Sequence, residues 1–320
     1  MTSPADISAA LLRSRLVVAL VGPTASGKTA VSIELARALD AEIISADSRQ
    51  VYRHLDIGTA KPSRELRSLI PHHFVDELTP DRDFSAGEFG ARGRERIANL
   101  FSRGRVALVV GGSGLYVKSL LDGFFEGPGS DPETRAELER RLAAEGVDSL
   151  LNELRKVDPA FAAAVDPTKP RRIVRALEVY RLTGTPLSTH QTEMRPTLDY
   201  SHVSYGLRWE RAELYKRIER RCDEMIKTGL LDEVERLAQL GYTDGLNALN
   251  TVGYAEVFAH RRGELGFAEM VQRMKQNSRN YAKRQMTWFR KDPRIRWIDA
   301  ASPAEEVARE ILADLSSVVH

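Results

Sequence analysis

The sequence has little cysteine, no long apolar run and almost no net charge. Its one cysteine, Cys222, excludes an internal disulfide and any zinc site built from several cysteines. No apolar run is long enough to span a bilayer, and the amino-terminal segment lacks the apolar stretch of a secretory signal. The formal net charge is only +2 in 320 residues, so the overall charge of the molecule is too small to attract a polyanion by itself. We therefore expect a cytoplasmic protein without membrane contacts, whose affinity for nucleic acid, if any, comes from local clusters of Lys and Arg.

The most informative motif that is present is GPTASGKT, at residues 22–29. The apolar run from Leu16 to Val21 precedes it and predicts a buried strand, and Ala30 to Leu39 have the spacing of an amphipathic helix. Between a strand and a helix, such a loop binds a di- or triphosphate through backbone N–H groups, a lysine and a hydroxyl that holds Mg²⁺. The predicted phosphate-binding residues are Gly22, Pro23, Thr24, Ala25, Ser26, Gly27, Lys28 and Thr29, and the predicted metal ligand is Thr29.

Strand and helix patterns alternate along the first third of the chain. Strands are predicted at Glu42 to Ala46 and Arg105 to Val110, with a helix at Ser85 to Arg103 between them. Further strands are predicted at Val203 to Leu207 and Ile295 to Ile298. This alternation predicts an α/β fold in which a P-loop-type parallel sheet is flanked by helices, with ligands at the carboxyl ends of the strands.

The pattern between residues 124 and 204 is helical. It contains no strand of comparable strength, and helix starts are indicated at Asp131-Pro132 and Asp158-Pro159. We therefore expect an all-helical domain that is inserted in a discontinuous core. The predicted core comprises residues 1–123 and 205–320, and the predicted insertion comprises residues 124–204.

The segment SADSRQVYRHLDIGTAKP, at residues 45–62, begins where the second predicted strand ends. It places Asp47 beside the phosphate loop, where a carboxylate can take a proton from a nucleophile or bind Mg²⁺ through water. The same residue could instead serve as a turn or helix-capping aspartate. A nearby pair, His72 and His73, has no third spaced ligand and is more typical of a structural role than of a metal site.

A basic helix is predicted near the end of the chain. Residues 273–291 include seven basic residues and no acidic one, and Lys275, Arg279 and Lys283 recur every four residues on one face. Solvated faces usually mix both signs of charge, so the absence of Asp and Glu favours a polyanion as the partner of this face. The predicted buried stripe of the helix comprises Phe267, Met270, Val271, Met274, Tyr281 and Trp288.

A second basic cluster, RRIVR at residues 171–175, lies within the predicted insertion. Arg171, Arg172 and Arg175 could contact the phosphates of a nucleic acid, or they could form a solvated helix face. The residues alone leave both interpretations open.

Six motifs of the chain resemble those of the tRNA dimethylallyltransferase family. They are GPTASGKT, DSRQVYRHLDIGTAKP, GGSGLY at residues 111–116, RRIVRALEV at residues 171–179, VGY at residues 252–254 and YAKRQMTWFR at residues 281–290. They occur in the order of the family and cover most of the chain. Ser113 replaces a threonine of the family pattern and Phe84 a tyrosine, and neither change touches the implied chemistry. The zinc-finger extension of eukaryotic members is absent, which favours a bacterial-type enzyme.

The resemblance implies transfer of the dimethylallyl group of dimethylallyl diphosphate to N6 of the adenosine just 3′ of the anticodon in tRNA. The phosphate loop would hold the allylic diphosphate with Mg²⁺ as cofactor, and no nucleoside triphosphate would be consumed. Asp47 would be the catalytic base, and Thr29 and Arg279 would assist departure of the diphosphate. The helical insertion would close on the anticodon stem-loop, and we expect a monomer. The implied tRNA-binding residues are Asp47, Ser48, Arg49, Gln50, Ser113, Arg135, Arg171, Arg172, Ile173, Val174 and Arg175.

Three other functions share parts of this pattern. A small-molecule kinase would share the phosphate loop, but it usually has a carboxylate after a hydrophobic strand, where Val106 to Val110 are followed by two glycines. A non-catalytic RNA-binding protein would explain the basic helix but has no use for Lys28 beside Asp47. An enzyme that prenylates free adenine nucleotides is the closest alternative, and the helical insertion with its RRIVR cluster favours a macromolecular acceptor instead.

Overall fold

The computed structural model describes residues 2–123, 131–193 and 197–319. Its strands are β1 (Leu16–Val21), β2 (Ala41–Ser45), β3 (His72–His73), β4 (Val106–Gly111), β5 (Ser201–Arg208) and β6 (Ile295–Asp299). Within the described residues they form one sheet in the order β3-β2-β4-β1-β5-β6, and every neighbouring pair is parallel. The predicted parallel α/β sheet is therefore confirmed.

Helices make up most of the remaining structure. The first part of the chain contains α1 (Pro4–Arg13), α2 (Lys28–Leu39), α3 (Arg64–Leu69), α4 (Ala86–Ser102) and α5 (Gly114–Leu121). A helical stretch follows, with α6 (Pro132–Glu145), α7 (Val147–Val157), α8 (Pro159–Ala164), α9 (Pro170–Thr183) and α10 (Leu187–Glu193). The last part contains α11 (Arg211–Lys227), α12 (Leu230–Gln239), α13 (Tyr254–Arg261), α14 (Phe267–Phe289) and α15 (Ala304–Val318). Across the described ranges, no helix combines the length and the apolar character needed to cross a bilayer.

Two hydrophobic clusters lie on opposite faces of the sheet. Val17 and Ala19 of β1 belong to one cluster, whereas Val18 and Leu20 belong to the other, as the alternation of side chains along a strand requires. Helices α4, α5 and α11 to α14 contribute to the first cluster, and α1, α2 and α15 contribute to the second. Because both faces are covered, a central strand such as β1 is buried at every residue and has an uninterrupted apolar sequence.

A third hydrophobic cluster lies among the helices α6 to α9, in which Leu150, Leu154 and Leu177 are fully buried. This separate cluster supports the proposed division into a core and an insertion at residues 124–204. The expected start of the insertion, residues 124–130, lies outside the described residues. At the other end β5 already begins at Ser201, so the last residues assigned to the insertion belong to a core strand.

The two adjacent histidines form β3, a short strand at the edge of the sheet that the sequence pattern does not predict. His73 Nε2 lies 2.8 Å from the Glu42 carboxylate, and His72 Nδ1 lies 2.7 Å from the carbonyl of Ile70. Burial lowers the pKa of His72 below its usual range. These contacts give both histidines structural partners on the amino-terminal side of β2, away from the phosphate loop.

Candidate active site

The candidate active site is built around the phosphate loop at the carboxyl end of β1. The loop turns into α2 at Gly27, whose φ of 93° suits a residue without a Cβ. Lys28 folds back over the loop, and its Nζ donates to the carbonyls of Gly22 at 2.9 Å and Pro23 at 2.7 Å. The N–H groups in the first turn of α2 have no intrahelical partners and can therefore bind an anion.

The Ser26 hydroxyl of the phosphate loop is suited to bind a phosphate ligand. The hydroxyl of Ser26 is buried and has no hydrogen-bond partner among the described residues. Since buried hydroxyls in proteins are nearly always hydrogen-bonded, a bound molecule is the expected partner. Residues Thr24 to Thr29 also line one wall of a cavity of about 610 Å³, called the large cavity below.

Thr29 is the residue of the phosphate loop that suits a metal ion. Its side chain is exposed at the start of α2 and lines the large cavity. Mg²⁺ prefers oxygen ligands and keeps several waters, so one hydroxyl together with the oxygens of a diphosphate is a fitting donor set. In the described part of the chain, no cluster of three or more His, Cys, Asp or Glu side chains could hold a metal ion. Metal binding here would therefore depend on oxygens of the substrate.

Two cations with buried head groups meet at this loop. Burial and the nearby Arg221 lower the pKa of Lys28 to about 7, although Asp47 opposes the change. Arg221 lies on α11 and donates from Nη1 to the Thr24 hydroxyl at 3.0 Å, and burial lowers the pKa of its guanidinium. Neighbouring buried cations repel each other, so a bound anion relieves an unfavourable interaction. The electrostatics of the large cavity therefore favour a negatively charged ligand.

Asp47 follows the carboxyl end of β2, where the chain leaves the sheet. Its Oδ1 accepts the backbone N–H groups of Arg49 at 2.9 Å and Gln50 at 3.4 Å, so the alternative role of a turn aspartate is realised as well. Both bonds orient the carboxylate, and both use the same oxygen. Asp47 lines the large cavity together with Lys28, and it also lines a second cavity of about 160 Å³, called the small cavity. The structure thus brings the predicted base and the phosphate loop together.

The large and small cavities adjoin each other. Tyr281 of α14 lies at their boundary, and burial and Asp47 raise the pKa of its phenol to about 12, so the hydroxyl stays protonated and can donate. The small cavity has an apolar side that includes Ile218, Met225 and Met274. A group held at the phosphate loop and a second molecule in the small cavity would therefore meet at Asp47. The residues that line both cavities are Thr24, Ala25, Asp47, Thr59, Arg221, Met225 and Tyr281.

A further wall of the large cavity is the loop at residues 56–61, which Glu233 holds in place. The buried Glu233 carboxylate accepts the backbone N–H groups of residues 56–58 at 2.8 to 3.2 Å and the Tyr254 hydroxyl at 2.6 Å. Gly58 packs so closely on the Tyr254 ring that a Cβ would lie 2.5 Å from a ring carbon. The position of this loop therefore depends on one buried carboxylate and one aromatic ring.

We expect Glu233→Gln to lower the free energy of unfolding by about 2–4 kcal/mol, because an amide nitrogen would face buried N–H donors and leave them unsatisfied. Urea denaturation monitored by circular dichroism measures this change. Glu235→Gln is the matched control, since it alters an exposed carboxylate of the same helix that pairs with Arg261, and it should leave stability nearly unchanged. Equal stability of the two variants would show that Glu233 does not hold the loop.

Arg279 requires a correction, because it is not among the residues that line either cavity. Its guanidinium pairs with Glu219 of α11 and donates to the side chain of Gln276 at 2.6 Å. Lys275 likewise pairs with Asp223 of α11 at 2.7 Å. The basic face of α14 is thus neutralised at these positions by acidic residues of α11, and Arg279 is not placed to assist a leaving diphosphate.

Three arginines of α11, Arg217, Arg220 and Arg221, line the large cavity where Arg279 was expected. Arg217 donates from Nε to the carbonyl of Ala25 at 2.9 Å, which fixes it against the phosphate loop. The sequence prediction did not include these residues. Their spacing of three and four residues puts them on one helix face, which is the signal that could have identified them.

The buried stripe predicted for α14 is partly wrong. Phe267 and Trp288 are 52% and 44% exposed, whereas the polar Gln285 is buried. The Gln285 amide donates to the carbonyl of Gly112 at 2.9 Å and accepts the backbone N–H of Thr24 at 2.8 Å. This side chain ties α14 to the phosphate loop and to the end of β4, a contact that hydrophobic periodicity cannot predict.

Four predicted tRNA-binding residues surround Asp47. Ser48 and Arg49 line the small cavity, and Gln50 lines the large cavity. The Ser113 hydroxyl, directly before α5, accepts the backbone N–H of Ser48 at 3.0 Å and so joins the ends of β2 and β4. The structure therefore brings these residues together at the junction of the cavities, and their contacts with tRNA remain a prediction.

The other predicted tRNA-binding residues lie on α6 and α9. Ile173 and Val174 are buried in the third hydrophobic cluster, so their side chains pack the helices together. They occupy the inner face of α9, so a contact with tRNA would be made by their backbone, and it remains a prediction. Arg135 and Arg175 contact the fully buried Glu178 carboxylate at 3.0 Å and 2.9 Å.

The chain resembles proteins of known function along almost its whole length. Residues 50–292 match the family model described as IPP transferase. The chain belongs to this family. It is 47% identical over 284 residues to tRNA dimethylallyltransferase 2 of Geotalea uraniireducens, and the aligned region covers 88% of this chain and 92% of that protein. It is 44% identical over 301 residues to tRNA dimethylallyltransferase of Geobacter metallireducens, with coverage of 94% and 97%.

Solved structures of family members have the same fold. The crystal structure of the full-length tRNA isopentenylpyrophosphate transferase from Bacillus halodurans is 39% identical, with a TM-score of 0.69 and coverage of 94% of this chain and 97% of that one. A eukaryotic dimethylallyltransferase acting on tRNA is 28% identical, with a TM-score of 0.79 and coverage of 94% and 79%. The family resemblance predicted from the six motifs is therefore confirmed.

Proposed function

We propose that the protein transfers the dimethylallyl group of dimethylallyl diphosphate to N6 of the adenosine 3′-adjacent to the anticodon in tRNA and releases diphosphate. The position of Asp47 carries this proposal, because it lines both the large cavity of the phosphate loop and the small cavity. Membership of a family whose relatives are named tRNA dimethylallyltransferase favours this reaction over the kinase and non-catalytic alternatives. The direct test is transfer of label from dimethylallyl diphosphate to tRNA in the presence of AMP or ATP as alternative acceptors.

The phosphate loop would bind the diphosphate of the allylic substrate. Its backbone N–H groups and the Ser26 hydroxyl would donate to phosphate oxygens, and Lys28, Arg217 and Arg221 would supply positive charge. Mg²⁺ would be held by the Thr29 hydroxyl and diphosphate oxygens, where it would neutralise charge on the leaving group. Negative charge accumulates on the diphosphate as the carbon–oxygen bond breaks, so donors that are already in place lower the barrier.

Asp47 would act as the general base. The N6 amine of adenine is a weak nucleophile, because its lone pair is delocalised into the ring. In the transfer, a bond forms between N6 and the allylic carbon while the carbon–oxygen bond breaks. The electron pair of that bond leaves with the diphosphate, and one N6 proton passes to Asp47. The small cavity would receive the target base after it has left its stack in the anticodon loop.

Helices α6 to α10 would form an insertion that binds the anticodon stem-loop. Arg171 and Arg172 are exposed on α9, whereas Arg135 and Arg175 are already paired with Glu178. The two exposed arginines are therefore the members of the cluster best placed to neutralise phosphates. We also propose that the enzyme acts as a monomer and in the cytoplasm.

Replacing Arg171 and Arg172 together with Ala should raise the KM for tRNA without changing that for dimethylallyl diphosphate. The slope of log affinity against log salt should flatten by about 0.7 to 0.9 for each phosphate contact that is lost. Fluorescence anisotropy titrations with labelled tRNA at several salt concentrations measure this slope. The matched control combines Arg13→Ala and Arg309→Ala, which remove the same charge from exposed positions of α1 and α15. An unchanged slope in the α9 variant would show that these arginines are only solvated.

A further inference from the structure

Trp209 directly follows β5 and contacts the phosphate loop. Among the described residues, it is not one of those that line the large or the small cavity. Its indole Nε1 donates to the carbonyl of Ser26 at 2.9 Å. Its ring also stacks with Arg217, whose guanidinium carbon lies 4.1 Å from the ring centroid. Trp209 can therefore influence a ligand in the large cavity only through the phosphate loop and through Arg217.

Arg217 is held by two contacts that leave part of its guanidinium available. Its Nε donates to the carbonyl of Ala25 at 2.9 Å, and one planar face lies against the indole. A guanidinium has five N–H donors, so the terminal N–H groups remain for the large cavity that Arg217 lines. Together, Trp209 and Arg217 fix two consecutive carbonyls of the phosphate loop, those of Ala25 and Ser26.

We propose that Trp209 is a positioning residue for the diphosphate. The proposal rests on the proposed function of the phosphate loop, and it adds that the indole sets both the conformation of this loop and the direction of Arg217. A guanidinium that is already stacked loses little freedom when it binds an anion, so the affinity for diphosphate increases. Both properties of the indole contribute: phenylalanine could stack on Arg217 but not donate to Ser26, and leucine could do neither.

The test is calorimetric titration of the full-length protein with inorganic diphosphate in the presence of Mg²⁺ and without tRNA. We expect Trp209→Phe to weaken diphosphate binding about threefold and Trp209→Leu about tenfold, because Phe loses only the hydrogen bond and Leu loses both contacts. Affinity for tRNA should not change. Trp297→Phe on β6 is the matched control and should bind diphosphate as the wild type does. Wild-type affinity for diphosphate in both Trp209 variants would overturn the proposal. If the leucine variant does not fold, wild-type affinity in Trp209→Phe alone would overturn it.

A double-mutant cycle separates positioning from general structural damage. Since Trp209 acts partly through Arg217, Trp209→Leu should weaken diphosphate binding less in an Arg217→Gln background than in the wild type. Fully additive losses would contradict this coupling. Diphosphate should also change the tryptophan emission of the wild type and of Trp297→Phe, but not that of Trp209→Phe. Diphosphate binding and tryptophan emission are measured without tRNA. If the protein failed to modify tRNA, the proposed reaction would be refuted, but these two measurements would still test the role of Trp209.

Discussion

Asp47→Asn is expected to lower kcat by about 10²-fold or more, the loss typical when a positioned general base is removed. Affinity for tRNA should stay nearly unchanged, because the amide oxygen can still accept the N–H groups of Arg49 and Gln50 that orient this side chain. The amide cannot take the proton from N6, so only the chemical step is impaired. Single-turnover transfer of a labelled dimethylallyl group to tRNA measures the rate, and anisotropy titration measures the binding.

Asp56→Asn is the matched control for this prediction. Asp56 also lines the large cavity, but it does not line the small cavity, and its carboxylate pairs with Lys61 at 2.7 Å. The control should therefore keep most of its turnover. Retention of more than about half of the wild-type kcat by Asp47→Asn would remove Asp47 from the mechanism.

Lys28→Ala is expected to lower kcat/KM for dimethylallyl diphosphate by about 10²–10³-fold. This is the range typical when one donor that stabilises developing negative charge is removed. Thr29→Ala should act in the same direction, because the metal would lose its protein ligand. Steady-state kinetics with varied dimethylallyl diphosphate at saturating tRNA measure both effects. Lys216→Ala is the matched control, since it removes an exposed ammonium of α11 that pairs with Glu213.

ATP should compete poorly with dimethylallyl diphosphate for the phosphate loop. The wild-type protein should therefore neither hydrolyse ATP nor transfer its phosphate at ordinary enzyme rates. A rapid ATPase or kinase activity that Lys28→Ala abolishes would show that the loop serves a nucleoside triphosphate. The kinase alternative would then be right, and the assignment of the large cavity to an allylic diphosphate would be wrong.

Elements whose determinants are local could be predicted from the sequence. β1 occupies Leu16–Val21 as predicted, because a central strand covered on both faces must be apolar throughout. α4 begins directly after Ser85, whose hydroxyl accepts the backbone N–H of Glu88 at 3.0 Å as a helix cap. Parallel topology then brings Asp47 to the same sheet edge as the phosphate loop, so their proximity could be predicted as well.

Contacts between distant helices could not be predicted. The segment at residues 273–291 has no acidic residue, which favoured a polyanion as its partner. Its neutralising carboxylates lie elsewhere in the chain, since Glu219 is 60 residues from Arg279 and Asp223 is 52 residues from Lys275. A local count of charges cannot reveal such pairing. The same packing of α11 brings Arg217 and Arg221 to the phosphate loop. Their spacing indicates a shared helix face, but it does not reveal which element that face packs against.

The assignment of Ile173 and Val174 to tRNA binding has a different origin. Their apolar side chains already indicated burial, and the RRIVR segment was assigned to tRNA binding as a whole because of the family resemblance. In a helix, successive residues point in different directions, so a five-residue motif cannot present every side chain to one ligand. Burial of Ile173 and Val174 and exposure of Arg171 and Arg172 follow from that geometry.

The central claim is that this protein prenylates the adenosine next to the anticodon of tRNA. The most direct measurement is incubation of the protein with Mg²⁺, labelled dimethylallyl diphosphate and either unmodified tRNA, AMP or ATP, followed by mass spectrometry of the digested nucleosides. We predict label in tRNA alone, as N6-dimethylallyladenosine 3′-adjacent to the anticodon, with an equal release of diphosphate. Substitution of that adenosine by guanosine should abolish incorporation. Label in AMP or ATP but not in tRNA, or phosphate transfer from ATP without prenylation, would contradict the account.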